Sequence, residues 1–232
     1  MSRTVQAPDL DLIALRRELH QIPEVGLQLP RTHARLLAEF EQLPVEITEA
    51  AGASGFVAVL RGTAEAPADQ SRPIVLLRAD MDALPVVEET GEAFASTNGA
   101  MHACGHDLHM AAIVGAAHSL CARRQELHGD VVFLLQAGEE GHGGARLVLE
   151  EGLIEAAGRR PDHAYGLHVW SSGHPTGSIR SRAGALMAGA DTFDLRVIGR
   201  GGHGSARRSQ GAIATPVMSS VSFSCGVAHP RV

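Results

Sequence analysis

Two short segments of the sequence hold side chains that could bind a metal ion and move a proton. In MHACGHDLH at 101–109, Cys104 and His106 are separated by one glycine. This spacing can direct a thiolate and an imidazole at one point, and both groups are good ligands for zinc and similar metals. A metal site is therefore favoured over a loop that is rich in histidine by chance. The segment's other candidate residues are His102, Asp107 and His109.

The second segment, QAGEEGHGG at 136–144, ends an apolar stretch in two adjacent glutamates. Neighbouring side chains of an extended segment point in opposite directions, so Glu139 and Glu140 are expected to have different roles. One glutamate can bind metal while the other faces the substrate water as a general base. The alternative is a solvated acidic turn, but the nearby cysteine and histidine cluster favours the catalytic interpretation.

Further candidates lie where predicted strands meet loops. His168 in YGLHVW is more simply a core histidine, and it becomes a ligand candidate because the first two segments lack a third nitrogen donor. Asp80 and Asp82 directly follow a buried strand, where carboxylates can bind metal or orient ligating histidines. His203 lies among the glycines of GRGGHGS, which suits a mobile catalytic donor or a plain hairpin turn.

The hydrophobic pattern predicts the elements that position these residues. Apolar residues at helical spacing predict helices over 10–20, 31–43, 107–124 and 144–153. Short apolar runs predict strands at Ile47 and over 55–60, 73–79, 130–137 and 163–170. Asp107 is the expected N-cap of the third helix, and 85–105 is expected to be a long loop. Alternating strands and helices indicate an α/β fold: a mixed, mostly parallel sheet with helices on both faces.

The pattern changes near residue 184. We expect a catalytic metal-binding domain over 1–183 and the start of a small α+β lid domain over 184–232. DTFDLRVIG at 191–199 alternates apolar and polar residues, which predicts an antiparallel strand. The tail from about residue 207 is rich in serine and aperiodic, so no element is predicted there.

Bulk properties exclude several classes of protein. The net charge of −6 argues against nucleic acid or an anionic membrane as a partner, because both attract basic surfaces. The three cysteines include no CxxC pair, which indicates a reducing compartment rather than a disulfide framework. The polar N-terminus lacks the apolar region of a signal peptide, so we expect a cytoplasmic protein.

A second enzymatic interpretation makes Cys104 a nucleophile and His106 its base. Residues so close in sequence seldom reach that geometry. The metal site is therefore the favoured interpretation.

Taken together, the motifs resemble a known family: the hippurate hydrolases, N-acyl-amino-acid amidohydrolases and auxin-conjugate hydrolases, within the aminoacylase and carboxypeptidase clan. They occur in the family's order over about residues 10–206. The matching segments are RRELHQIPEVG at 16–26, LLRADMDALPV at 76–86, MHACGHDLHMA at 101–111, AGEEGHGGA at 137–145, YGLHVW at 165–170 and GRGGHGS at 199–205.

This resemblance implies a zinc-exopeptidase-like fold and a site for two divalent metal ions (Zn, Mn, Co or Ni). The implied reaction is hydrolysis of N-acyl amino acids, with Glu139 as general base and acid. His203 matches a lid-domain histidine that donates to the developing oxyanion, often across a homodimer interface formed by the lid. The residues that match the family's metal ligands are Cys104, His106, Glu140 and His168.

The resemblance also implies features beyond this chain. In the family, the lid is followed by a return to the catalytic domain, which supplies one more ligating histidine. This chain stops at Val232, and its tail lacks the family's long amphipathic helix. We therefore expect a truncated or frameshifted reading frame, and an inactive relic of the enzyme is the alternative function.

Overall fold

The structure is a computed structural model that describes residues 10–65, 71–184 and 186, and the backbone of 191–195 and 221–225. The chain forms two compact units, Met1–Ser171 and Ser172–Val232. The boundary predicted at residue 183 stays a prediction.

A five-stranded mixed sheet forms the centre of the first unit. Its strands are β1 (Glu46–Glu49), β2 (Phe56–Arg61), β3 (Ile74–Asp80), β4 (Asp130–Gln136) and β5 (His163–Gly166), and they lie in the order β1-β2-β4-β3-β5. The β1–β2 and β2–β4 pairs are antiparallel, whereas the β4–β3 and β3–β5 pairs are parallel. The predicted mixed sheet is confirmed.

Helices cover both faces of this sheet, as predicted. Alternate residues of the central strands point to opposite sides, so each face carries apolar side chains that helices cover. Phe56 and Phe133 pack in the larger cluster with the first three helices. Val57 and Val132 pack on the other face with Val148 of the fourth helix. The helices are α1 (Leu12–His20), α2 (Pro30–Phe40), α3 (His106–Cys121) and α4 (Gly144–Glu150), followed by short 3₁₀ helices at Arg124–Glu126 and Leu153–Glu155.

Parallel pairing brings the candidate segments to one edge of the sheet. Asp80 at the end of β3 is the register partner of Gln136 at the end of β4, and Arg78 is the partner of Gly166 in β5. The chain therefore leaves these three strands at neighbouring points. The carboxyl edge of parallel strands is the usual place for a site in α/β sheets.

Two boundary predictions are wrong in detail. β5 ends at Gly166 and not at residue 170, so His168 lies in the segment after the strand. Its residues are exposed and not buried, because β5 is the edge strand of the sheet. The N-cap of α3 is Gly105, while Asp107 is already the second helical residue. The Asp107 carboxylate instead pairs with side chains of α1.

A two-stranded antiparallel sheet lies in the second unit, with β6 (Asp191–Leu195) paired to β7 (Val221–Cys225). β6 occupies the start of the predicted antiparallel strand. β7 lies in the tail for which no element was predicted, although VSFSC does alternate apolar and polar residues. Over the described ranges, no helix combines the length and apolar character needed to cross a membrane.

Candidate metal centre

The structure brings together the four residues predicted to bind metal. Cys104 Sγ lies 3.4 Å from His168 Nε2, and His106 Nε2 lies 3.8 Å from Glu140 Oε1. The donor atoms of Cys104, His106 and His168 are all within 4.8 Å of one another, as are those of His106, Glu139 and Glu140. His106 is therefore common to both groups. The candidate donors form one continuous set and not separate clusters.

The environment of His106 fixes which of its nitrogens is free. Nδ1 lies 2.8 Å from the Asp82 carbonyl oxygen, which can only accept, so Nδ1 carries the proton. Nε2 then has a lone pair that points towards Glu140. Both His106 Nε2 and Glu140 Oε1 are buried and have no hydrogen-bond partner among the described residues. Unpaired buried polar atoms cost about 1–3 kcal/mol each.

A divalent metal ion fits this donor set. Ligands of one zinc ion lie about 2.0–2.3 Å from it, and thus roughly 3.3–3.8 Å from each other in a tetrahedron. The Cys104–His168 and His106–Glu140 separations of 3.4 and 3.8 Å are in this range. Sulfur, imidazole and carboxylate donors suit zinc and also other first-row metals. A cation would also satisfy the two unpaired buried atoms.

Asp82 holds the two glutamates in place. Its fully buried carboxylate accepts the backbone N–H groups of Glu139 at 2.8 Å and Glu140 at 3.0 Å. The side chain of Glu139 is 41% exposed and that of Glu140 is 21% exposed. Glu139 Oε2 and Glu140 Oε1 lie 4.0 and 3.8 Å from His106 Nε2, so both carboxylates reach the donor set, and the more exposed Glu139 can also face a substrate. The two glutamates differ in exposure, and their separate roles stay a prediction.

Asp80, His106 and His109 form a further candidate donor group near the centre. In this group, both ring nitrogens of His109 already have hydrogen-bond partners. His109 Nδ1 lies 2.6 Å from Asp80 Oδ1, and His109 Nε2 accepts the Val169 N–H at 2.9 Å. Burial alone would raise the pKa of Asp80. The hydrogen bond from His109 and the positive charge of Arg78 have the larger effect and lower this pKa to about 2. Asp80 is thus an ionised partner of His109.

One candidate residue of the described part of the chain, His102, lies apart from the donor set. The His102 ring is 4% exposed and belongs to none of the donor groups of the described residues. Burial lowers its pKa to about 4, so it is a neutral imidazole near neutral pH. His203 lies outside the described residues.

The Cys104 thiol does not have the environment of a nucleophile. Burial and the negative charges of Glu140 and Glu139 raise its pKa to about 11. A reactive cysteine needs a lowered pKa, which cationic neighbours or a metal ion provide. The surroundings of Cys104 therefore favour a metal ligand over the cysteine-nucleophile alternative.

We expect Cys104 in the metal-free protein to react slowly with iodoacetamide near neutral pH. Its alkylation rate should rise until the pH passes about 11, because only the thiolate reacts. Peptide mass spectrometry after timed alkylation over a pH series measures the rate at this cysteine alone. A plateau near the ordinary cysteine pKa of about 8.5 would contradict the assignment.

Gly105 allows the Cys104–His106 loop to approach the His168 segment. Its φ is +86°, and a Cβ on it would lie 2.5 Å from Val169 Cγ2. A glycine is therefore required here both for the backbone conformation and for the close approach. This contact brings Cys104 and His106, the candidate ligands on either side of Gly105, close to Val169, the residue that follows His168.

Gly105→Ala should lower stability and weaken metal binding by at least about tenfold, because the ligand loop must move away from Val169. Gly99→Ala is the matched control, since Gly99 has φ +84° but open space around it. That control should lose about 1–2 kcal/mol of unfolding free energy from backbone strain alone. Denaturant unfolding and competition with a chelator measure the two effects. Equal behaviour of the two variants would rule out a role for the close approach.

Sequence reasoning assigned no role to a buried charge network beside the centre. His20 at the end of α1 has Nδ1 2.6 Å from Asp107 and Nε2 3.0 Å from Glu88. Arg16 Nε lies 2.8 Å from the same Asp107 carboxylate. The feature that could have indicated this network is His20 itself, a histidine next to Leu19 on the buried side of a helix. The network ties α1 and the 85–105 loop to the first turn of α3.

The chain belongs to peptidase family M20/M25/M40, whose sequence pattern matches residues 76–228. This match confirms the resemblance indicated by the motifs. The family includes enzymes that differ in substrate, so membership by itself does not identify what this chain acts on.

Two relatives are similar over most of the chain. N-acetylcysteine deacetylase of Bacillus subtilis is 39% identical over 194 residues, which are 83% of this chain and 48% of the relative. N-acetyldiaminopimelate deacetylase of Streptococcus uberis is 40% identical over 198 residues, which are 84% of this chain and 50% of the relative. The chain thus spans about half the length of the curated relatives it matches.

A solved structure shares the fold. The YXEP protein of Bacillus subtilis, described as a dinuclear metal binding peptidase from the M20 family, superposes with a TM-score of 0.69 at 38% identity. The match covers 79% of this chain and 49% of that protein. It confirms the predicted α/β class with a mixed sheet.

Proposed function

We propose that this chain carries the metal centre and the catalytic base of a metal-dependent amidohydrolase that cleaves N-acyl amino acids. The observation that carries the proposal is the convergence of the donor set next to the exposed Glu139, in which His106 Nε2 and Glu140 Oε1 are buried and have no hydrogen-bond partner within the described part of the chain. Relatives named as deacetylases of N-acetylcysteine and N-acetyldiaminopimelate support this substrate class. Hippurate-like and N-acetyl amino acids are the substrates to test.

The residues that would hold two divalent ions (Zn, Mn, Co or Ni) are Cys104, His106, Glu140 and His168. Bound ions of this kind polarise the scissile carbonyl and make a water molecule more acidic. The chain prepares its ligands for this role: the Asp82 carbonyl fixes the tautomer of His106, and the Val169 carbonyl accepts from His168 Nδ1 at 2.7 Å. Such partners orient ligating imidazoles.

Glu139 performs the proton transfers. It takes a proton from the attacking water, whose oxygen forms a bond to the amide carbonyl carbon. When the carbon–nitrogen bond breaks, Glu139 returns that proton to the leaving nitrogen, so a carboxylic acid and a free amino acid are produced. The bond from the Glu139 N–H to Asp82 holds the base at the edge of the donor set.

His203 completes the proposal. Its GRGGHGS motif matches the family segment whose histidine donates to the developing oxyanion. We assign this role to His203. We also propose that the protein forms a homodimer through its lid domain and is located in the cytoplasm.

Metal titration and a hydrolysis assay test the proposed function. Metal-free protein loaded with Zn²⁺, Mn²⁺, Co²⁺ or Ni²⁺ should retain about two ions per chain by elemental analysis after desalting. Hippurate and a panel of N-acetyl amino acids should then release free amino acid, and Glu139→Ala should abolish the release. Absence of retained metal would overturn the proposal. Retained metal with equal trace rates in both proteins would support the inactive relic.

A further inference from the structure

We propose that His109 is a positioning residue of the metal centre, which holds His168 within reach of Cys104 and His106. The proposal rests on the proposed function of that centre. His109 lies in the first turn of α3 and is 5% exposed. The sequence marked it as one member of a histidine-rich segment, without distinguishing it from the ligands.

The segment that carries His168 needs an anchor beyond its strand. Pairing of β5 with β3 ends at Gly166, two residues before His168. The flanking side chains of Leu167 and Trp170 are 67% and 63% exposed. Exposed residues of this kind contribute little packing energy to hold a backbone in place. The Val169 N–H bond to His109 Nε2, at 2.9 Å, fixes the backbone at the residue next to His168.

The hydrogen bonds of His109 form a chain with a defined direction. The Val169 N–H can only donate, so Nε2 accepts and the proton lies on Nδ1. Nδ1–H donates to Asp80 Oδ1 at 2.6 Å, and Asp80 Oδ2 accepts from Arg78 Nη1 at 2.6 Å. Asp80 ends β3, which pairs with β4 on one side and β5 on the other. The Val169 backbone is thereby connected through His109 to the end of β3.

The ring of His109 also lies between two candidate ligands. It stacks on the His106 ring with 5.4 Å between centroids and meets the His168 ring edge-on at 4.7 Å. Because both its nitrogens are engaged, His109 has no lone pair left for a metal ion. Its contacts can set the distance between the imidazoles on either side.

Two variants separate its hydrogen bonds. His109→Asn keeps a donor near the Nδ1 position but removes the acceptor for Val169, whereas His109→Gln can place its amide oxygen near the Nε2 position. We expect Asn to weaken Co²⁺ or Zn²⁺ binding by about 10–100-fold, and Gln to restore most of that loss. Chelator competition gives the affinities. The Co²⁺ absorption spectrum reports the thiolate and imidazole ligands, and urea unfolding of the metal-free proteins reports folding.

The outcomes distinguish this proposal from the proposed function. Wild-type protein that binds no metal overturns the proposed function and, with it, the role of His109. If wild type binds metal, equal affinity in the Asn variant, or equal losses in Asn and Gln, overturns the role of His109 alone. Imidazole nitrogen NMR of the wild-type metal-free protein needs no variant to fold. It should show the His109 proton on Nδ1, and a proton on Nε2 would overturn the proposal.

Discussion

Replacing Glu139 by glutamine is expected to lower kcat for an N-acyl amino acid by about 10²–10⁴-fold, while the protein keeps its metal ions. Glutamine has nearly the same shape but cannot accept the proton of the attacking water. The backbone N–H of residue 139 still donates to Asp82, so the loop should keep its position. Steady-state hydrolysis and elemental analysis on the same preparations measure both quantities.

Two further variants test the specificity of this result. Glu140→Gln should lose metal as well as activity, because Glu140 Oε1 lies buried in the donor set and has no hydrogen-bond partner among the residues that the structure describes. Glu150→Gln should change neither, since Glu150 lies on α4 with its side chain 60% exposed. If Glu139→Gln loses its metal ions to the same degree as Glu140→Gln, Glu139 is a ligand and the assigned division of roles is wrong.

Glu139, Glu140 and His168 could be predicted as candidates from sequence because they lie just after strand ends. A buried parallel strand is readable as a short apolar run, and parallel pairing sends the following loops to the same edge. Glu139 and Glu140 follow β4, and His168 follows β5. That placement needs no knowledge of the individual side-chain contacts. The exposure of the segment after β5 could not be predicted in this way, because it depends on the position of β5 at the edge of the sheet.

The supporting residues could not be predicted in the same way. His20 contacts Asp107 across 87 positions of sequence, and His109 contacts Val169 across 60. Such contacts depend on how α1 and α3 pack, which no local pattern encodes. Asp82 was a candidate ligand or orienting group, and the structure shows its carboxylate on backbone N–H groups instead. Asp107 was taken for a helix cap because aspartate is common there, but it lies inside the helix, where its Oδ2 faces Arg16 and His20 and its Oδ1 accepts the Leu108 N–H.

His20→Ala is expected to lower the free energy of unfolding of the metal-free protein by about 3–5 kcal/mol. The His20 ring lies between Asp107 and Glu88, whose side chains are completely buried. Carboxylates only accept hydrogen bonds, so removal of the ring takes a donor from each of them. Asp107 keeps Arg16, and Glu88 keeps the Ser96 N–H and Thr90, which limits the loss to this range. Chemical unfolding followed by circular dichroism measures it.

The acid dependence of stability gives a second readout of the same network. Burial raises the pKa of Glu88, but bonds from Thr90, Ser96 and His20 outweigh it and lower the pKa to about 2. A carboxylate with a lowered pKa stabilises the folded state above its ordinary value of 4.5 and loses that contribution as the pH falls towards 2. His20→Ala should flatten this fall. Arg146→Ala, which removes an exposed pair, should cost no more than about 0.5 kcal/mol and leave the pH profile unchanged. A His20→Ala loss as small as that of Arg146→Ala would show that the network contributes little to stability.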